Sequence, residues 1–217
     1  MINKFAYNIP IGIYLYRQFE ITMTKAEKTR NFIIEKTAPI FNMKGYAGTS
    51  LNDIIAATGL TKGSIYGNFA NKDEVALAAF DYNFSTNVSK IEAEISRQNT
   101  TEGKLLAYIN IYQSLLINGI SLGGCPILNT AIDADDTHPA LRDKVLKAVL
   151  SWKNRIISLV EEGVLKHELN ADNNPEQIAL TIIAMIEGGV MVSRLTNKME
   201  NWKLIMNSLK KYIKSLG

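Results

Sequence analysis

The chain has 217 residues, 47% of them hydrophobic, so it can bury a sizeable core as one compact body or two small domains. Its net charge of +3 excludes a general polyanion binder, yet residues 1–80 hold nine Lys/Arg against six Asp/Glu while residues 81–217 hold fifteen of each, so the whole excess lies N-terminal. One cysteine excludes an intrachain disulfide and fits a reducing cytoplasm. No low-complexity run or internal repeat is visible, and no segment alternates long enough for a sheet, so the expected fold class is all-α.

Residues 1–22 are aromatic and apolar without a helical or strand period. Asn8, Pro10 and Gly12 break the run after Lys4 that a signal peptide would need, and no small-x-small cleavage site follows. We expect translation to begin at Met23, with 1–22 a misassigned start or a loosely held extension. A first helix is expected from about Lys25 to Met43, with Ile33, Thr37, Ile40 and Phe41 on one stripe. Pro39 inside it removes a backbone donor and predicts a bend or a split. Tyr46 reads as a core aromatic rather than a DNA contact.

The stretch Ser50–Phe69 predicts two short helices with a tight joint. Ser50 with Asp53 forms an N-cap, and Leu51, Ile54 and Ile55 share one face. Gly59 can take the left-handed angle that stops a helix, and Leu60 can plug the core behind it. Thr61 caps the second helix, Lys62 to about Phe69. This is the pattern of a helix-turn-helix, whose second helix enters the major groove. Lys62 offers a charge for phosphate, and Thr61, Ser64, Tyr66 and Asn68 offer polar or phenolic groups. Gly63 removes bulk where protein and DNA would approach.

Thr29 to Phe80 resembles the TetR family of bacterial repressors. The likeness is carried by Lys44-Gly45-Tyr46, Thr49-Ser50, Gly59-Leu60-Thr61-Lys62-Gly63-Ser64-Ile65-Tyr66, Asn68-Phe69 and Asn71-Lys72-Asp73-Glu74. It implies an N-terminal three-helix DNA-binding domain over 24–80, with its helix-turn-helix at 50–69, and a helical effector-binding and dimerisation domain over 81–217. The partners implied are double-stranded DNA with a palindromic operator, a second copy of the chain, and a small-molecule effector. The DNA-facing residues expected are Thr49, Ser50, Thr61, Lys62, Gly63, Ser64, Ile65, Tyr66, Asn68 and Lys72. Thr61, Lys62 and Lys72 are assigned to phosphates, and Ser64, Ile65 and Tyr66 to base edges. Ile65 has an equal alternative in the core.

Beyond the head, Asn71 and Glu74 cap a helix to about Ser96 that joins the head to the rest. Helices follow at Glu102–Asn118, at Pro126–Ile132 after the Gly123-Gly124-Cys125 turn, from Pro139 to Gly163, from Pro175 to about Leu195, and from about Asn201 to Leu216. Asp133, Asp135 and Asp136 are expected in a solvated loop. The segment around IALTIIAMIEGGVMVSRL is apolar on nearly all sides. Glu187 and Gly188-Gly189 interrupt it, and its apolar run falls short of the roughly 20 residues a bilayer needs. It reads instead as a helix buried on two faces, one against its own core and one against a partner subunit, where the glycines allow close approach. With the last helix it would form a four-helix bundle across a twofold axis, and no membrane is expected as a partner.

The expected effector pocket is apolar, with Phe84, Tyr108, Tyr112, Trp152, Met185 and Met191 as candidate walls. Cys125 is either a small buried residue or a reactive thiol with a lowered pKa at a helix N-terminus. No cofactor is expected. His138 and His167 lie far apart, no Cys cluster supports a metal, and the three aspartates lack the glycine and distal glutamate of a calcium loop. No phosphate loop, nucleophile elbow or poised histidine points to an enzyme. The reading is a homodimeric transcriptional regulator released from its operator by a small molecule or electrophile. The rival is a helical small-molecule-binding or adaptor protein whose head has lost DNA binding. The polar face around Lys62 argues against that rival.

Overall fold

The computed structural model describes residues 23–117 and 123–217, so the expectation for residues 1–22 lies outside the described residues. The described residues form helices and no strand: α1 (Lys25–Gly48), α2 (Leu51–Thr58), α3 (Lys62–Tyr66), α4 (Lys72–Ile95), α5 (Thr101–Ile117), α6 (Pro126–Ala134), α7 (Pro139–Leu165), α8 (Pro175–Thr196) and α9 (Met199–Lys214).

The head is assembled by local capping. Thr24 with Glu27 and Ser50 with Asp53 each close a capping box, satisfying orphan donors at the starts of α1 and α2. Gly59 ends α2 at φ 66°, and the Thr61 hydroxyl accepts from the Ser64 amide to start α3. Ile33, Ile54, Ile65, Phe69, Val75 and Ala79 fill the core between these helices.

The first helix is longer than expected and breaks elsewhere. Pro39 lies inside α1, and the residue with non-helical angles is Gly45 (φ 71°, ψ 178°). The donor that Pro39 lacks would have served the carbonyl of Glu35, an exposed residue open to solvation. Gly45 instead sits against Asp133, where a Cβ would meet the carboxyl group at 2.9 Å. Asp133 is accordingly in the last turn of α6, not in a loop.

Helix α4 packs on α1 and runs unbroken past position 80 into the body, where it meets α5, α6 and α7. Helix α8 packs between α7 and α9. Its 22 residues contain an 18-residue window of mean hydropathy 1.7, enough to cross a bilayer by length and composition. Its inner face is accounted for by packing, since Ile178, Ala179, Ile182, Ile186 and Val190 are buried. The two glycines divide their roles. A Cβ on Gly189 would press on Met206 and Trp202 of α9, so this glycine serves contact within the chain. Gly188 faces open space, on the side where Leu180, Met191 (44% exposed) and Leu195 (80% exposed) also lie.

Candidate nucleic-acid interface and effector cavity

Thr61, Lys62, Gly63 and Tyr66 are exposed on or beside α3, Ser64 and Asn68 are half-buried, and Ser50 is exposed at the start of α2. The Lys62 ammonium lies 6.0 Å from the Tyr66 ring centroid, so a cation and a phenol share one surface. Ser50 is partly committed, because its hydroxyl donates to Asp53 at 2.7 Å. The Asn68 amide donates to the Ser64 carbonyl at 2.8 Å.

Three residues expected at the DNA face lie elsewhere or serve another partner. Thr49 is fully buried and its hydroxyl donates to the Gly45 carbonyl, so its side chain is not presented outward. Ile65 is fully buried, which settles its two readings in favour of the core. The Lys72 ammonium donates to the carbonyls of Tyr46 (2.9 Å) and Thr49 (3.0 Å) and lies 4.1 Å from the Tyr46 ring centroid. That leaves one of its three protons for any other acceptor.

Sequence reasoning missed Arg30. Its guanidinium donates to the Asn68 carbonyl at 2.5 Å, pairs with Glu74 at 2.6 Å and lies 4.0 Å from the Phe69 ring centroid. Glu74 in turn accepts from the Ala70 amide at 2.7 Å. Together they clamp the segment leaving α3. No local pattern announces this, because the partners are 38 and 44 residues away.

The head is tied to the body through α6. Asp133 accepts from the Tyr46 amide at 2.5 Å, and Asn42 donates to the Gly124 carbonyl at 3.1 Å. Asn129 donates to the carbonyls of Asn42 (2.9 Å) and Gly123 (2.5 Å). Tyr46 is half-buried at this junction, its ring edge-on to His138 at 4.5 Å and its hydroxyl hydrogen-bonded to Asp73. The Asp73 hydrogen bond, with burial second, pushes the Tyr46 pKa up to about 12.

Between α4, α5, α6 and α7 lies a cavity of about 140 Å³. Of the expected walls, Phe84, Tyr108, Tyr112, Cys125 and Trp152 line it. Met185 and Met191 do not: Met185 packs against the core elsewhere and Met191 points outward from α8. Sequence reasoning missed Asn87, Glu92 and Arg155 in its wall. Arg155 donates twice to Glu92, at 2.7 and 2.8 Å.

Cys125 is the N-cap of α6 and 3% exposed. Burial pushes its thiol pKa up, and the nearby Glu187 carboxyl adds to this. Of its two readings the structure favours the small buried residue over the reactive thiol of lowered pKa, because desolvation of a thiolate outweighs the helix dipole here. Glu187 stands behind Cys125 and Tyr112. Both its oxygens are sealed from solvent, and burial raises its pKa to about 7, an effect that a hydrogen bond from the Cys125 thiol only partly opposes. Among the described residues no group of three metal-ligating side chains converges.

A capped helix-turn-helix head joined by one long helix to a hollow helical body is the architecture of a DNA-binding regulator. Residues 33–79 match the family described as bacterial regulatory proteins, tetR family, and residues 102–209 match the tetracyclin repressor-like C-terminal domain. The chain is 30% identical over 178 residues to the uncharacterized HTH-type transcriptional regulator YxaF of Bacillus subtilis, covering 81% of this chain and 90% of that protein. It is 23% identical to the HTH-type transcriptional repressor DhaR of a Mycobacterium species, covering 79% of this chain and 85% of DhaR. A crystal structure of a TetR-family regulator from Cytophaga hutchinsonii is 43% identical, covers 89% of this chain and 97% of its own, and superposes with a TM-score of 0.83. The chain belongs to the TetR family of bacterial transcriptional regulators. It is thus a DNA-binding regulator rather than an enzyme, in a family whose members bind DNA operators, dimerise and bind small-molecule effectors.

Proposed function

We propose that the chain is a cytoplasmic, homodimeric repressor that leaves a palindromic operator when a small molecule fills the cavity between α4 and α7. The observation that carries this reading is the set of hydrogen bonds linking the cavity to the head. Cys125 and Ile127 line the cavity at the start of α6, while Asp133 at its end holds the Tyr46 amide. A ligand that displaces α6 therefore acts on the α1 break at Gly45 and on the placement of α3. It shifts the equilibrium only by its differential affinity for the two head positions.

In this reading residues 24–80 act as the reader and 81–217 as the sensor and dimerisation unit, with α4 belonging to both. Lys62 and Thr61 meet phosphates, and Ser64 and Tyr66 read base edges. Gly63 allows close approach, and Ser50 and Asn68 flank the contact. Lys72 orders the end of α1 and has one proton left for a phosphate. The outward side of α8, with Leu180, Met191 and Leu195, and Leu204 of α9 supply an apolar face for a second copy. Two copies of α3 spaced by about 34–36 Å would read successive turns of one side of the duplex. The name of DhaR as a repressor supports repression over activation.

The test is a filter-binding titration with DNA flanking the chain's own gene, at low ionic strength, alongside sedimentation of the free protein. A dimer that retains one flanking fragment over unrelated duplexes is expected. A monomer, or equal retention of every fragment, would end the proposal.

A further inference from the structure

An α-helix carries its backbone bonds from each N–H to the carbonyl four residues before it. In α1 the Tyr46 amide would on that rule donate to the Asn42 carbonyl. The angles at Gly45 (φ 71°, ψ 178°) turn the Tyr46 N–H away from that carbonyl, since a helical ψ lies near about −42°. One bond of α1 is thus opened, and both of its ends lie at the joint between head and body.

Helix α6 meets both ends. Asn129 and Asp133 are four residues apart, as Asn42 and Tyr46 are, so they share one face of α6 at the same pitch. The Asn129 amide donates to the Asn42 carbonyl at 2.9 Å, and Asp133 accepts from the Tyr46 amide at 2.5 Å. The two side chains are opposite in kind, as the two ends require: a carbonyl takes a donor and an N–H takes an acceptor. The Asn129 amide is oriented by its surroundings, because the Asn42 carbonyl, the Asn42 Oδ1 (3.2 Å) and the Gly123 carbonyl (2.5 Å) are all acceptors. The turn before α6 presses on the same point, where a Cβ on Gly123 would meet the Asn42 carbonyl oxygen at 2.7 Å.

A single contact acts as a pivot, whereas two contacts a helical turn apart also resist rotation. We propose that Asn129 is a positioning residue for operator binding: with Asp133 it replaces the opened bond of α1 and so fixes the angle of the head on the body. Asn129 lies at the joint and not on α3. It sets the distance and rotation between two copies of α3, and through them the half-site spacing that a dimer accepts. This inference rests on the proposed dimer and its palindromic operator. One added base pair shifts the second half-site by about 3.4 Å and turns it by about 35°, which a firm joint rejects and a loose one tolerates.

The test begins with selection of duplexes from a random library by the full-length protein, followed by filter binding of wild type and Asn129→Leu. The probes are the selected duplex, the same duplex with one base pair added or removed between its half-sites, and a duplex carrying one half-site. Asn129→Leu is expected to lose about fivefold of the wild-type preference for the selected spacing, the worth of one hydrogen bond, while it holds the single half-site as wild type does. An unchanged spacing preference overturns the proposal. So does an equal loss on the single half-site, which would put the effect in α3 or in the stability of the head. Asn129→Asp keeps the size and removes both donors; it is expected to relax spacing in the same way, and it carries the test if the leucine variant does not fold. Hydrogen exchange at the Tyr46 amide reads the joint with no DNA present. It should accelerate about fivefold in Asn129→Leu, because Asp133 alone holds the break less firmly, and unchanged exchange overturns the proposal. A wild-type protein that selects no paired half-sites, while this exchange accelerates in the variant, counts against the dimeric regulator reading and not against the joint.

Discussion

Glu187 makes the stability of this protein fall as pH rises through the weakly acidic range. In the unfolded chain its carboxyl titrates near 4.5, and in the fold burial raises this to about 7. The folded state therefore holds a proton that the unfolded state has released, and stability declines with pH between these two values. Below about 4.5 both states are protonated and the effect is absent. Above about 7 both are ionised and the loss is constant. At 1.36 kcal/mol for each pH unit between the two values, the loss is about 3 kcal/mol. Cys125 and Tyr112 face the carboxyl, and burial raises the pKa of both well above their usual values. Both thus stay neutral through this range and do not mimic the effect. The assay is urea unfolding of wild type and Glu187→Gln from pH 5 to 8 at one fixed protomer concentration, since dimerisation couples to apparent stability. The wild-type curve should drop relative to the Gln variant by about 2.5 kcal/mol across that interval, which begins half a unit above the unfolded pKa. Parallel curves would show that Glu187 is solvated or paired in solution, and the reasoning would fail.

Arg30→Ala should weaken binding to the operator and lower stability by about 2 kcal/mol, the size of a charge-assisted hydrogen bond to the Asn68 carbonyl, because the ion pair with Glu74 is partly exposed and adds little. Its salt dependence of DNA binding should match wild type; a shallower slope would place Arg30 on a phosphate instead. Lys62→Ala should weaken binding to all duplexes alike and reduce the slope of log affinity against log salt by about one, and an unchanged slope would refute the phosphate role. Asp133→Ala removes the acceptor of the Tyr46 amide, so hydrogen exchange at that amide should accelerate by about tenfold or more. Unaltered exchange would mean that α6 does not hold the α1 break.

What could be read from the sequence was local. Ser50 with Asp53, Gly59 and Thr61 fix the two joints of the helix-turn-helix through contacts within three or four residues, and a linear pattern records those. Residue orientation on α3 was not legible in the same way. With five residues that helix is too short for its period to separate Ile65, which faces the core, from Ser64 and Tyr66 beside it. The split in α1 fell at Gly45 rather than Pro39 because a tertiary neighbour decides it: Asp133 lies 87 residues from Tyr46 and rewards a break there by accepting its amide. Cys125 shows the same limit in electrostatics. Its position at a helix start is visible in sequence, but the burial that raises its pKa, and the Glu187 carboxyl that adds to it from 62 residues away, belong to the tertiary fold. Lys72 carries the point furthest. Sequence gives its place at the start of α4, where a phosphate or a protein carbonyl could be its acceptor. The fold brings the carbonyls of Tyr46 and Thr49 within 3.0 Å, and its first duty is thus to hold the segment that leads from α1 into α2.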